Sequence, residues 1–462
     1  MDTDLLVVGA GAKGAAIAMK VHVLNSLGLG PISLTVVEAV GPAGAWMDGN
    51  GVSTSREVLA ISPSKDVGFP YQSGHAFGDA GKAVDEAAMS FSWQRYLVEQ
   101  DRYAYWVDAG APPVQRRVYG AYLTWVLSRA VDGVNVVHGR VNGLSLEPGG
   151  ERWLVDVAGA PASARKRYSA GAFVLTGPGV ARSLPHDLDA APCLLDCDGG
   201  RMEIARAPLE QSSDIGIVGG GESALSCLEF VRAVRPAARV TIYTPGLPMS
   251  RVESFLENRA FSNPDSVDWR SLSVRTRREF IARGDRGVFG PDRVAVFAYD
   301  ERCHFAAGRV VHVACAPGGR GVCVDYAATS GVERNRHDFL VNCTGFDLLE
   351  QLRVLLTPDA REVLERRAGP VWSGQPDGEL AMGRYLELEG MLPRLHLPNL
   401  AGVSQGPGFA NLGSLGLLAD RVLEPLVLLQ DGALRSMQQP TAPPVAVPRR
   451  AIWPSRVRGH GG

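Results

Sequence analysis

The sequence predicts an α/β protein built from two Rossmann-like dinucleotide-binding units, the second inserted within the first, with a small additional helical region. Three observations carry this. Residues 5–14 read LLVVGAGAKG and residues 215–224 read IGIVGGGESA, each an apolar run entering a G-x-G-x-x-[GA] turn. Each turn opens a helix-spaced stretch that leads into a second apolar run, which completes a βαβ unit. Near the C-terminus QGPGFANLGSLGLLADRV (405–422) is a glycine-rich turn running into an apolar helix.

Each element has its own justification. LLVV is short and branched, as a buried parallel strand requires, and AAIAMKVHVLNSLG has helical spacing and stops at glycine. ISLTVVEA (32–39) is a strand that ends in an acid. SFSWQRYLVEQ (90–100) and RRVYGAYLTWVLSRAV (116–131) are amphipathic helices. VNVVHGRV, WLVDVAG and AFVLTGPG are strands, the last closing in a turn at Thr176–Gly177. DIGIVGG, ESALSCLEFVRAV and RVTIYTPG form the second strand–helix–strand unit, and FLVNCTGFD (339–347) is another strand ending in a turn. The expected division is 1–210 for the first part of the first unit, 211–347 for the inserted unit, and 348–437 for the returning part. Residues 438–462, rich in Pro, Ala and Arg, read as a mobile tail.

Composition narrows the function. The 462 residues are 45% hydrophobic and 21% charged with a net charge of -2, which gives no footprint for a nucleic-acid partner. MDTDLL has no basic n-region, and no apolar stretch approaches the ~20 residues of a membrane span, so a cytoplasmic protein is expected. Seven scattered Cys suit a reducing compartment better than a disulfide framework.

The turns indicate cofactors. In the first, Gly9 allows the tight turn, Gly11 admits a pyrophosphate, and Gly14 lets helix and strand pack closely. Glu38 ends the second strand, where a carboxylate accepts from a ribose diol. Gly219, Gly221 and Ala224 repeat the pattern, with Glu222 and Ser223 at the helix start. There the second strand ends in Thr244 rather than an acid, and Arg251 follows, which favours a 2′-phosphate and so NADPH. FAD on the first turn and NADPH on the second is the layout of two-dinucleotide flavoproteins. Cys193 and Cys197 are spaced C-x-x-x-C and read as structural thiols, not a redox pair. His residues are few and dispersed, so no metal site is expected. Dioxygen is then the natural electron acceptor.

The chain resembles the FAD- and NADPH-dependent N-hydroxylating monooxygenases of siderophore biosynthesis, and is most similar to mycobactin-type lysine N6-hydroxylases. The resemblance runs from residue 4 to about residue 425 and is carried by VVGAGAKGAAIAMK, SPSKDVGFPY (62–71), SFSWQRYL (90–97), GGGESA (219–224), ESFLENRAFSNP (253–264), DRGVF (285–289), NCTGFD (342–347) and QGPGFANLGSLGLLADRV. It implies hydroxylation of the side-chain amine of L-lysine with NADPH and O2 through a C4a-hydroperoxyflavin. It also implies that Lys65 pairs with the substrate α-carboxylate and that Asn258 hydrogen-bonds the substrate. Trp46 falls in the region that lines the flavin, and Asn411 to Leu418 in the segment that closes over flavin and substrate. A homo-oligomer, dimer or tetramer, is implied as well.

There are departures from the pattern. Met47 follows Trp46 where ornithine hydroxylases carry a histidine, Ala60 replaces a glutamine, Asp285 an asparagine, and Gly416 a serine. They weaken an ornithine substrate more than the family, and leave a diamine or another amine open. Read from the residues alone, Lys65 is a solvated loop lysine and Asn258 an ordinary polar position. Two alternatives stay open: a Baeyer–Villiger or sulfur-oxidising flavin monooxygenase, and an uncoupled NADPH oxidase. The linker before the second turn contains His186 but not the F-x-G-x-x-x-H-x-x-x-W-type run of the first alternative.

Overall fold

The computed structural model describes residues 1–47, 57–59, 63–69, 73, 76–159, 165–197, 199–209, 213–246, 249–290, 297, 299–372 and 380–430. The expected tail at 438–462 and Ala60 lie outside the described residues.

Strand β1 (Asp2–Val8) enters the first glycine turn, α1 (Ala12–Ser26) leaves it, and β2 (Leu34–Glu38) pairs parallel to β1. Strands β3 (Val134–His138), β4 (Arg140–Leu146), β5 (Trp153–Ala158) and β6 (Arg165–Leu175) follow. They complete a sheet of order β3-β2-β1-β6-β5-β4. The pairings around β1 are parallel, and β4-β5-β6 is an antiparallel extension. Helix α1 is buried along most of its length, between the sheet and the C-terminal helix Leu415–Gln430. Its run of alanines lets backbone approach backbone. Its fully buried Lys20 meets Asp420 at 2.7 Å and donates to Ser73 Oγ at 2.7 Å, so the desolvated pair is also hydrogen-bonded.

The chain then leaves through β7 (Val180–Ala181) to build a second sheet. Its strands are β8 (Leu194–Asp196), β9 (Asp214–Val218), β10 (Arg239–Thr244), β11 (Cys303–Ala307) and β15 (Phe339–Asn342), in the parallel order β11-β10-β9-β15-β8. Strands β12 (Arg309–Cys315), β13 (Val322–Ala328) and β14 (Gly331–His337) form an antiparallel meander beside it. The return strand β16 (Phe346–Asp347) pairs with β7, so entry and exit cross as one two-stranded ribbon. A last strand, β17 (Arg394–His396), rejoins the first sheet beside β6. The second unit is therefore inserted between β6 and β17. The expected division at 210/211 falls within it, because β8 and the helix Gly200–Arg206 already pack with the second sheet. Three residues of β8 are too few to show a period in sequence.

Candidate active site

At the first turn Gly9 has φ +102, and a Cβ on Gly14 would lie 2.0 Å from the Gly9 carbonyl oxygen. Only glycine fits either position. Gly11 is the N-cap of α1 and offers no side chain to its first-turn N–H groups, which leaves donors for an anion. The Trp46 indole covers this turn, with Nε1 3.2 Å from where a Cβ on Gly11 would stand. Arg116 lies 5.1 Å over the Trp46 ring and Tyr119 meets its edge at 5.2 Å. Glu38 is buried at the end of β2, and its carboxylate accepts from Ala10 N and Val40 N at 2.8 Å each. Each oxygen keeps a lone pair for a ribose hydroxyl. A cradle only glycine can form, an uncapped helix N-terminus and a carboxylate at the strand end fit a dinucleotide.

The second turn repeats the plan. Gly219 has φ +145, with the Cys343 carbonyl 2.4 Å from where its Cβ would stand. Gly221 is the uncapped N-cap of α2 (Glu222–Val234). Glu222 opens this helix, and the Ser223 carbonyl accepts from Arg201 at 3.3 Å. Arg251 lies at the start of α2, but it is largely buried and ion-paired, 3.7 Å from Glu222 and 2.5 Å from Glu253. Gly287 follows the helix Val274–Gly284 and lies over the turn, its N 3.6 Å from where a Cβ on Gly221 would stand.

The fold brings Lys65 and Asn258 together. They are 193 residues apart in sequence, and Lys65 Nζ is 3.5 Å from Asn258 Oδ1. This long contact leaves the amine able to take a stronger partner. Burial, with Arg251 nearby, pulls the Lys65 amine below the ordinary lysine value, while Glu253 acts the other way. The loop that carries Lys65 is fixed by its neighbour. Buried Asp66 accepts from Gly68 N at 3.0 Å and from Trp93 N, at the start of the helix Trp93–Glu99, at 2.7 Å. Phe69 O accepts from Gly416 N at 2.8 Å, which ties the loop to the C-terminal helix.

Two expected closing residues take different places. Asn411 donates to Asp285 Oδ1 at 3.1 Å and accepts from Gly413 N at 2.7 Å, which joins the returning segment to the inserted unit. Leu418 is fully buried in the hydrophobic core of the first unit. None of the seven Cys is in a disulfide, and among the described residues no His, Cys, Asp or Glu cluster could hold a metal. Cys197 is buried and accepts from Arg201 at 3.1 Å. Among the described residues no helix is long and apolar enough to cross a membrane.

Sequence reasoning passed over Lys13 and Asp66. Lys13 occupies a variable position inside the first motif, and a cation in the first turn of an anion-binding helix was the signal available. Asp66 carries no signal, since the Gly68 and Trp93 groups that donate to it are backbone N–H.

Comparison with known proteins bears on this architecture. The family model described as L-lysine 6-monooxygenase/L-ornithine 5-monooxygenase matches residues 83–293. An L-lysine N6-monooxygenase MbtG of Mycobacterium tuberculosis is 34% identical over 430 residues, which covers 92% of this chain and 95% of that one. Its counterpart in Mycolicibacterium paratuberculosis is 33% identical over 426 residues, 91% and 95% of the two chains. The structure of the lysine monooxygenase NbtG from Nocardia farcinica superposes with a TM-score of 0.76 at 34% identity, covering 91% of this chain and 98% of that one. The ornithine N-hydroxylase KtzI of Kutzneria sp. 744 shares the fold at 16% identity, with a TM-score of 0.74 and 93% and 100% coverage. With two glycine cradles, parallel strands behind each and identity of this extent along nearly the whole chain, the protein belongs to the L-lysine 6-monooxygenase/L-ornithine 5-monooxygenase family of FAD- and NADPH-dependent N-hydroxylating enzymes.

Proposed function

We infer that the protein hydroxylates the side-chain amine of L-lysine, with FAD seated on the first turn and NADPH on the second. The observation that carries the substrate reading is the approach of Lys65 to Asn258 across 193 residues of sequence. Lys65 supplies a cation for the α-carboxylate and Asn258 an amide for the substrate's polar groups, so the side chain is directed by its far end. The flavin, when bound and reduced, supplies activation of O2. The chain's own task is to orient the amine and keep water out. A free lysine amine titrates at about 10.4 and must be neutral to act as a nucleophile, which a desolvated pocket favours. One methylene separates lysine from ornithine and is worth only about 1–3 kcal/mol, so the grip on the carboxylate acts as the ruler. Identity of 34% with relatives named as lysine monooxygenases supports lysine over ornithine. Arg251 serves the NADPH site in this reading by steadying Glu222 at the start of α2. Glu38 and Trp46 border FAD, and Asn411 and Leu418 belong to the segment that closes over it. The expected assembly is a dimer or tetramer.

The test is Lys65→Met assayed with L-lysine and with cadaverine, which has the same chain and no carboxylate. The substitution raises KM for lysine by about 10–150-fold, the loss of a charge-assisted hydrogen bond of about 1.5–3 kcal/mol, and leaves cadaverine unchanged. Equal losses with both amines contradict the assignment.

A further inference from the structure

Lys13 is the second residue of α1, a helix of 15 residues with no acid in its first turn. An ammonium there opposes the positive end of the helix dipole. Its Nζ donates to Asn399 Oδ1 and, at 3.2 Å, to Ala410 O. Asn399 in turn donates to the carbonyls of Thr176, at 3.0 Å, and Gly177. Lys13 thus joins the first glycine turn, the turn after β6 and the C-terminal segment. Two charged groups of the inserted unit act on it, Asp285 and Arg286. Asp285 is itself engaged by Arg286 at 3.2 Å and by Asn411 at 3.1 Å. Glu38, across the turn, is taken up by Ala10 N and Val40 N. Asn399 and Ala410 bring no titratable group.

We propose that Lys13 is a proton-linked latch of the first dinucleotide site: its amine takes up a proton when the pyrophosphate of FAD seats on the turn, and the ammonium then clamps the C-terminal segment through Asn399 and Ala410. Without an anion the surroundings disfavour charge. Burial first, then Arg286, bring the amine down to about 7, against the pull of Asp285. A doubly anionic pyrophosphate at the same helix N-terminus reverses the balance. Hydrogen bonds from a charged donor are roughly twice as strong as neutral ones, so the same proton tightens the hold on the closing segment. The proposal rests on FAD occupying the first turn.

The test dilutes the holoenzyme at pH values from about 5.5 to 9 and reads FAD release by its fluorescence. Since the amine of the free site titrates at about 7, the wild-type Kd is level below that pH and rises above it by up to about tenfold per pH unit. Lys13→Arg binds with wild-type strength at low pH and stays level, because its charge is permanent. Lys13→Met binds more weakly at pH 6 and is also level. Rebinding heats in buffers of different ionisation enthalpy report about half a proton taken up at pH 7 by the wild type and none by either variant. A level wild-type Kd, or a wild-type slope in Lys13→Met, overturns the latch. An unchanged FAD Kd in Lys13→Met with an altered NADP+ Kd overturns instead the placement of FAD on this turn.

Discussion

Gly416→Ser tests how closely the loop that carries Lys65 is held. A Cβ at 416 would stand 2.6 Å from the Gly68 carbonyl oxygen, 2.9 Å from its carbon and 2.9 Å from the Phe69 carbonyl oxygen. Ordinary contact begins at about 3.4 Å, and all three obstacles are backbone, so no side chain can swing aside. The loop must move away from the C-terminal helix, yet Gly416 N also donates to Phe69 O at 2.8 Å. Overpacking of this kind costs about 1–3 kcal/mol. If substrate binding restores the native loop, that strain appears in KM for L-lysine as an increase of about 5–150-fold. A misplaced amine also leaves oxidising equivalents unused, so peroxide per NADPH consumed rises. The assay is steady-state kinetics with NADPH consumption, hydroxylamine and peroxide measured in parallel. Gly402→Ala is the control, since its Cβ meets Ala410 Cβ at 3.4 Å and Pro407 Cα at 4.0 Å, both ordinary contacts. Wild-type KM and peroxide yield in Gly416→Ser would refute the reasoning.

Two further outcomes follow from buried groups. Asp66→Asn leaves one of the Gly68 and Trp93 N–H groups facing an amide N–H, at about 1–3 kcal/mol, so KM for lysine rises while kcat with saturating substrate is kept; a fall in kcat alone would place Asp66 elsewhere in the mechanism. His396 is buried, its Nδ1–H donates to Tyr385 O at 2.7 Å, and burial holds its pKa down at about 4. The unfolded chain takes a proton at about pH 6.5 and the folded chain does not until about 4, so roughly 3 kcal/mol of stability present above 6.5 is lost as pH falls through this window. Denaturant titrations of His396→Gln should show a shallower acid slope than the wild type, and an equal slope would assign the acid sensitivity to other groups.

Both glycine turns, their strands and helices, and the insertion itself were legible, because each rests on a local period or on a position that only glycine fits. Glu38 at its strand end was legible for the same reason. The meeting of Lys65 and Asn258 was not, since neither position carries a local signal and the contact spans the boundary between units. Family resemblance, rather than any pattern in SPSKD or LENRAF, pointed to it. Arg251 shows the limit of reading a cation by proximity in sequence: it follows the second βαβ unit as expected, but Glu222 and Glu253 already engage it. The glycine at 416 was visible only as a departure from a family serine. Its physical reason, the backbone of Gly68 and Phe69 pressed against it, exists only in three dimensions.

The most direct measurement is the yield of hydroxylamine per NADPH consumed with L-lysine, L-ornithine, putrescine and cadaverine. A ratio near one is expected with L-lysine, a lower ratio with ornithine, and poor coupling with both diamines, which offer Lys65 no carboxylate. Peroxide equal to NADPH consumed with all four, and no hydroxylamine, would contradict it.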